Sequence, residues 1–219
     1  MAVNSGAYQA IKKELDNKKA ILVAVSKTKP AADIMALYNL GQRDFGENYV
    51  QELLAKQPQL PTDIRWHFIG HLQSNKVKYI APFVSLVQSV DSLHLLKEIN
   101  RQAAKNNRVI DCLLQVHIAQ EETKFGFDEK ELEAALQPAV MAQFPHARIR
   151  GLMGMASFSN DADLVRNEFR RLHALYRQYA ALYPSFTSLS MGMSGDYPTA
   201  LEEGSTMVRI GSLLFGSRS

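Results

Sequence analysis

A single cysteine in 219 residues, Cys112, has no partner for an intrachain disulfide, which argues against a secreted, disulfide-held fold and for a reducing compartment. No stretch approaches the roughly 18 apolar residues that span a bilayer, and residues 1–16 hold no uninterrupted apolar run of the signal-peptide kind. Charge of one sign is also scarce. Lys and Arg number 25 against 22 Asp and Glu, a balance of +3, and the basic residues are interleaved with acids. Neither nucleic acid nor a membrane surface is therefore an expected partner, although the slight excess suits a small anionic ligand. No linker rich in Gly, Ser or Pro divides the chain, and no internal repeat is visible. The expectation is one cytoplasmic globular domain over residues 1–219.

What the chain does have is alternation. Short apolar runs rich in β-branched residues recur along its length, most of them followed by a segment of helical period. The runs are 21–25, 43–45, 65–69, 84–88, 109–117, 148–153, 187–190 and 206–210, which makes eight strand candidates. Pro30 and Gly41 bracket a first helix, with Ile34, Leu37 and Tyr38 as its buried stripe. Asp91 is placed to cap a helix carrying Leu93, Leu96 and Ile99. Leu132, Leu136, Val140 and Phe144 mark another, which Pro138 should kink or shorten. A long helix from about Asp161 buries Phe169, Leu172, Tyr176 and Tyr179 and ends before Pro184. Eight units at about 27 residues each lie near the low end for a (β/α)8 TIM barrel, the expected fold; an open doubly wound sheet is the alternative.

Barrel chemistry sits at the C-terminal ends of the strands. Strand parity puts Lys27 on the same face as Ile21, Val23 and Val25, so an amine ends an apolar row. Such a lysine is either a side chain reaching solvent or a nucleophile fit to form a Schiff base. Lys29, just before Pro30, falls outside the strand. Two glycine-serine turns, Met193-Ser194-Gly195 and Ile210-Gly211-Ser212, follow the last two strands, where barrels often hold phosphate; each is placed to open a helix whose free backbone N–H groups face outward. Arg209 shares the parity of Met207 and points to the barrel mouth, unless Glu202 or Glu203 pairs with it. His67 and His71 are four apart, but Gly70 and the preceding strand argue against a helix there, so no metal is expected. No Walker A motif, G-x-G-x-x-G or G-x-S-x-G is present. The methionines at 153, 155, 191 and 193 read as adaptable core, and Cys112 as a small buried hydrophobe.

Five blocks then resemble the pyridoxal phosphate homeostasis protein family: Val25-Ser26-Lys27-Thr28-Lys29, residues 45–52 (FGENYVQE), residues 66–76 (WHFIGHLQSNK), Gly151-Leu152-Met153-Gly154-Met155, and Met191-Gly192-Met193-Ser194 with residues 204–211 (GSTMVRIG). The blocks occur in the family's order over nearly the whole chain. The resemblance implies a barrel similar to the N-terminal domain of alanine racemase, holding pyridoxal 5'-phosphate as a covalent imine to Lys27. Ser194, Gly195, Gly211 and Ser212 would hold the phosphate, Arg209 would face the pyridine nitrogen, and Asn48 would lie beside the ring. His71 matches a motif residue without an assigned role. Family members often carry threonine where this chain has Ser212, a change that keeps the hydroxyl, and the lead before Lys27 is short.

A permanently charged arginine at the ring nitrogen disfavours the proton that makes this cofactor a strong electron sink. The expected function is therefore a non-catalytic, monomeric carrier of pyridoxal phosphate in vitamin B6 homeostasis, with apo-enzymes as recipients. The alternatives are a pyridoxal phosphate-dependent amino-acid racemase, with Tyr49 or Tyr197 as its second base, and a Schiff-base aldolase. Eight units use up the sequence and leave nothing for the second domain of an alanine-type racemase, which favours the carrier.

Overall fold

The computed structural model describes residues 3–119 and 125–216. Eight parallel strands close into a barrel in chain order, β1 pairing with both β2 and β8. In sequence the elements are α1 (Ser5–Lys18), β1 (Ile21–Val25), α2 (Ala31–Asn39), β2 (Asp44–Glu47), α3 (Val50–Lys56), β3 (Arg65–Phe68), α4 (Val77–Ile80), β4 (Leu86–Val90), α5 (Leu93–Lys105), β5 (Ile110–Gln115), α6 (Glu129–Ala135), α7 (Pro138–Met141), β6 (Ala147–Met153), α8 (Ala162–Ala180), β7 (Ser188–Met193), α9 (Tyr197–Glu202), β8 (Met207–Ile210) and α10 (Ser212–Phe215). All eight expected strands are present and the ring is closed, which excludes the open sheet.

Three local expectations change. Residues 1–16 read only as polar, yet Tyr8, Ile11 and Leu15 form the buried stripe of α1, whose N-cap is Asn4. The cap of α5 is Ser92 rather than Asp91: the Ser92 hydroxyl accepts from the Leu95 N–H, while Asp91 turns to the His71 ring at 3.1 Å. Pro138 splits its helix outright, because a proline has no N–H for the preceding turn; α6 ends at Ala135 and α7 restarts with Pro138 in its first turn. The long helix expected from about Asp161 is α8, and Asp161 is its cap, accepting from the Asp163 and Leu164 N–H groups.

Strand alternation divides the apolar residues between two cores. Outward-facing side chains such as Phe45, Phe68, Cys112 and Leu189 pack under the helices in one continuous cluster with Leu96, Ile99, Phe169 and Leu172. Inside the barrel, Val23, Leu86, Leu113, Met153 and Met207 form a much smaller apolar group. Buried polar side chains from other strands, His67, Gln88, Ser190 and Arg209, share this interior and lead upward to the site.

Candidate functional site

A cavity of about 470 Å³ opens at the C-terminal ends of the strands. It is lined by Lys27 and Lys29 after β1, Asn48 after β2, Ile69 after β3, Met155 after β6, Met193, Ser194 and Gly195 from the end of β7, and Arg209, Gly211 and Ser212 from β8 and its turn. All seven residues singled out from the sequence, Lys27, Asn48, Ser194, Gly195, Arg209, Gly211 and Ser212, thus meet on one cavity. Val25 and Thr28 complete the β1 side. Val25, Ile69 and Met155 supply apolar wall.

The backbone around Lys27 is held by ionic contacts. The Lys56 ammonium donates to the Ser26 carbonyl at 2.8 Å, to Glu47 at 2.8 Å and to Glu52 at 2.6 Å. Glu52 accepts in turn from the Thr28 N–H at 2.6 Å. Thr28 has φ 63°, a left-handed conformation that a β-branched residue adopts only when its surroundings enforce it. The residues on both sides of Lys27 are therefore tied to one cluster. Burial pushes the Glu47 carboxyl upward, opposed by Lys56 and by the Ser26 hydroxyl, which donates to it at 2.7 Å. Lys29 also reaches the cavity, but its ammonium donates to the Phe215 carbonyl at 2.9 Å.

Asn48 is set by a close approach. A Cβ added to Gly70 would lie 2.3 Å from the Asn48 carbonyl oxygen, so only glycine lets the turn after β3 pack against this backbone. The Asn48 side-chain oxygen is buried without a hydrogen-bond partner among the described residues, as is Glu47 Oε2. Such orphaned acceptors are rare in folded proteins and call for an explanation at a site.

On the opposite side, the Ser194 hydroxyl accepts from the Gly211 N–H at 3.2 Å and joins the two glycine-serine turns. Ser212 opens α10 as expected, so the first N–H groups of that turn have no intrahelical acceptor. The other turn differs from expectation. The helix after β7 begins at Tyr197, behind Ser194-Gly195, with Pro198 in its first turn. A Cβ on Gly195 would meet nothing within 4 Å, so the turn faces open space.

Arg209 is 4% exposed, and it does not pair with Glu202 or Glu203. Those acids bind Arg166, and Glu203 also binds Arg170. Arg209 donates instead to the Ser190 hydroxyl at 2.6 Å and to the Gly154 carbonyl at 3.0 Å. Burial lowers its pKa to about 10, with Asp196 opposing, which leaves it charged at neutral pH. Neither tyrosine weighed as a racemase base lines this cavity. Tyr49 is exposed beside a neighbouring pocket, and the Tyr197 hydroxyl donates to Glu14 at 3.1 Å; burial and that carboxylate raise its pKa.

Several site residues were not found from the sequence. Lys56, Glu47 and Glu52 act through the backbone around Lys27, and Ser190, Gln88 and His67 lie beneath Arg209. Strand parity held a signal for the second group, because His67, Gln88 and Arg209 all fall on inward positions of their strands.

The chain and its barrel belong to the class of the alanine racemase N-terminal domain, the family that matches residues 7–219. Within that class the chain belongs to the pyridoxal phosphate homeostasis protein family. It is 43% identical over 204 residues to the pyridoxal phosphate homeostasis protein of Aquifex aeolicus, covering 91% of this chain and 87% of that one. Among solved structures it is similar to PipY of Synechococcus elongatus: 37% identical with a TM-score of 0.90 without PLP, and 36% with 0.87 with PLP bound. Each PipY match covers 96% of this chain and 99% of that one. An alanine racemase from Bartonella henselae, 19% identical with a TM-score of 0.71, shares the fold over 96% of this chain and 58% of its own.

Proposed function

We propose that this protein holds pyridoxal 5'-phosphate as a Schiff base on Lys27 and serves vitamin B6 homeostasis without catalytic turnover. The observation that carries this reading is the meeting, on one cavity, of an amine, two glycine-serine turns and a buried arginine, in a family whose relatives are named for the cofactor. The residues fit the group. Ser194 and Ser212 bring hydroxyls, and the helix start at Ser212 brings first-turn backbone N–H groups without an intrahelical acceptor, which suit a phosphate. The apolar wall suits a planar ring, and Asn48 lies beside it on the same cavity. When bound, the group supplies a reactive aldehyde and, with a protonated ring nitrogen, an electron sink.

The protein's own residues direct that chemistry toward storage. Lys27 captures the aldehyde reversibly and shields it from stray amines. Arg209, charged at neutral pH, would face the ring nitrogen in place of a carboxylate that keeps it protonated, so the sink would be weakened. With Tyr49 and Tyr197 off the cavity, no tyrosine among the described residues lines it as a second base, and the racemase reading loses its support. A cytoplasmic monomer that passes the cofactor to apo-enzymes completes the proposal.

Absorption spectroscopy tests it. Wild-type protein mixed with pyridoxal phosphate is expected to develop the visible imine band, borohydride to trap the ligand on Lys27, and Lys27→Ala to lose both signals. A colourless wild type, or a Lys27→Ala variant that behaves like wild type, would sink the proposal.

A further inference from the structure

Arg209 stands at one end of a hydrogen-bond chain that crosses the barrel interior. Its Nη1 donates to Ser190 Oγ at 2.6 Å. Ser190 Oγ donates to Gln88 Oε1 at 2.7 Å, and Gln88 Nε2 lies 2.9 Å from His67 Nδ1. His67 Nε2 lies 3.0 Å from Asp44 Oδ1, near the opposite mouth. Ser190, Gln88 and His67 are all buried, and they come from β7, β4 and β3, three different sectors of the ring.

The two ends fix the sense of the chain. A guanidinium can only donate, so the Ser190 hydroxyl, having accepted from it, passes its own proton toward Gln88. An ionised aspartate can only accept, so His67 carries its proton on Nε2 and presents Nδ1 to the Gln88 amide N–H. Every donor therefore points from Arg209 toward Asp44, and each bond polarises the next. Gly154 adds a backbone carbonyl acceptor on Nη2. Together these contacts use two of the five guanidinium N–H groups and leave the others for the cavity.

Resting on the pyridoxal phosphate reading above, we infer that Ser190, Gln88, His67 and Asp44 are positioning residues that lock the Arg209 guanidinium in register with the ring nitrogen of the ligand. The chain gives a buried cation, without a carboxylate contact among the described residues, a fixed orientation, which an arginine with several accessible rotamers would otherwise lack. It acts on one atom of the ligand: it bears on the ring nitrogen and not on the phosphate or the aldehyde.

The test compares two ligands, pyridoxal phosphate and its carbocyclic analogue with a C–H in place of the ring nitrogen. Dissociation constants are measured for both by absorption titration of wild type, Ser190→Ala and Gln88→Met. Wild type is expected to prefer the nitrogen-bearing ligand. That preference should fall about tenfold in both variants, the scale of one hydrogen bond to a charged group, while affinity for the analogue changes less than twofold. Folded variants that keep the wild-type preference, or that lose both ligands in equal proportion, overturn the inference, since a purely structural role gives the second result. Should Gln88→Met fail to fold, Ser190→Ala, the smaller change, decides alone. A wild type that binds neither ligand removes the pyridoxal phosphate reading and this inference with it. A wild type that binds both while the variants keep its preference removes the inference only.

Discussion

The two faces of the same eight strands behave as different materials. The outer face packs Phe45, Phe68 and Leu189 against Leu96, Phe169 and Leu172 in one apolar layer under the helices, with those side chains almost fully buried. The inner face buries a cluster of only five apolar side chains and is threaded by the Arg209-to-Asp44 chain. Area removed from water stabilises the first, without directional demands. The second holds buried polar groups that are tolerable only because each is paired, and its stabilisation depends on geometry. Stability and function are thus allotted to opposite sides of one sheet, one residue apart along each strand.

The largest expected effect breaks the outer layer. Phe169 on α8 is fully buried, and Phe169→Ala leaves a cavity that the surrounding strands and helices cannot close. A loss of about 3–5 kcal/mol is expected from urea unfolding. The folded fraction should still give the wild-type ligand spectrum, because Phe169 does not line the cavity. A loss below about 1 kcal/mol would mean that the layer repacks freely, contrary to the dense packing of such cores.

A smaller effect isolates the far end of the inner chain. Burial pushes the Asp44 carboxyl up, but hydrogen bonds from Arg65 and His67 and the charge of Arg65 win and hold it at about 2, below the usual 3.8. Because the folded value lies below the unfolded one, this contribution is complete above about pH 5. It is lost as pH falls through the folded value, and amounts to about 2 kcal/mol. Asp44→Asn should flatten the stability curve between pH 5 and 2 relative to wild type. Parallel curves for the two proteins, measured by urea unfolding at each pH, would show that Asp44 is not held this way.

The sequence was legible where function follows from periodicity, and silent where it depends on closure. Val23 and Val25 gave the parity of Lys27 from β1 alone, and the glycine-serine turns gave the other side of the cavity, because both signals are local. The parity of Arg209 with Met207 was local too. Its partner was not: Ser190 lies on the neighbouring strand, and the choice between it and Glu203 is made by packing. His67 drew attention only through its spacing to His71, although its contacts are Gln88 and Asp44. These residues meet only when β3, β4 and β7 are wrapped into one ring, a relation without a sequence period. Helix α1 was missed because lysines and acids lower the hydropathy of residues 5–18, while Tyr8, Ile11 and Leu15 repeat at helical spacing.

The smallest expected effect sharpens the same comparison through Cys112. It lies on the outer face of β5, fully buried, and burial together with Asp111 pushes its thiol well above the usual range. The thiolate is the reactive form, so the native shell should protect this residue on two counts, access and ionisation. Iodoacetamide is expected to leave it unmodified under native conditions and to label it fully in denaturant. Cys112→Ala should cost only about 1 kcal/mol. Lys27, at the mouth of the same barrel, should be trapped by pyridoxal phosphate and borohydride under the native conditions that protect Cys112. Rapid native alkylation of Cys112 would show that the outer layer opens on the timescale of the reagent, and the contrast between a closed shell and an accessible mouth would fail.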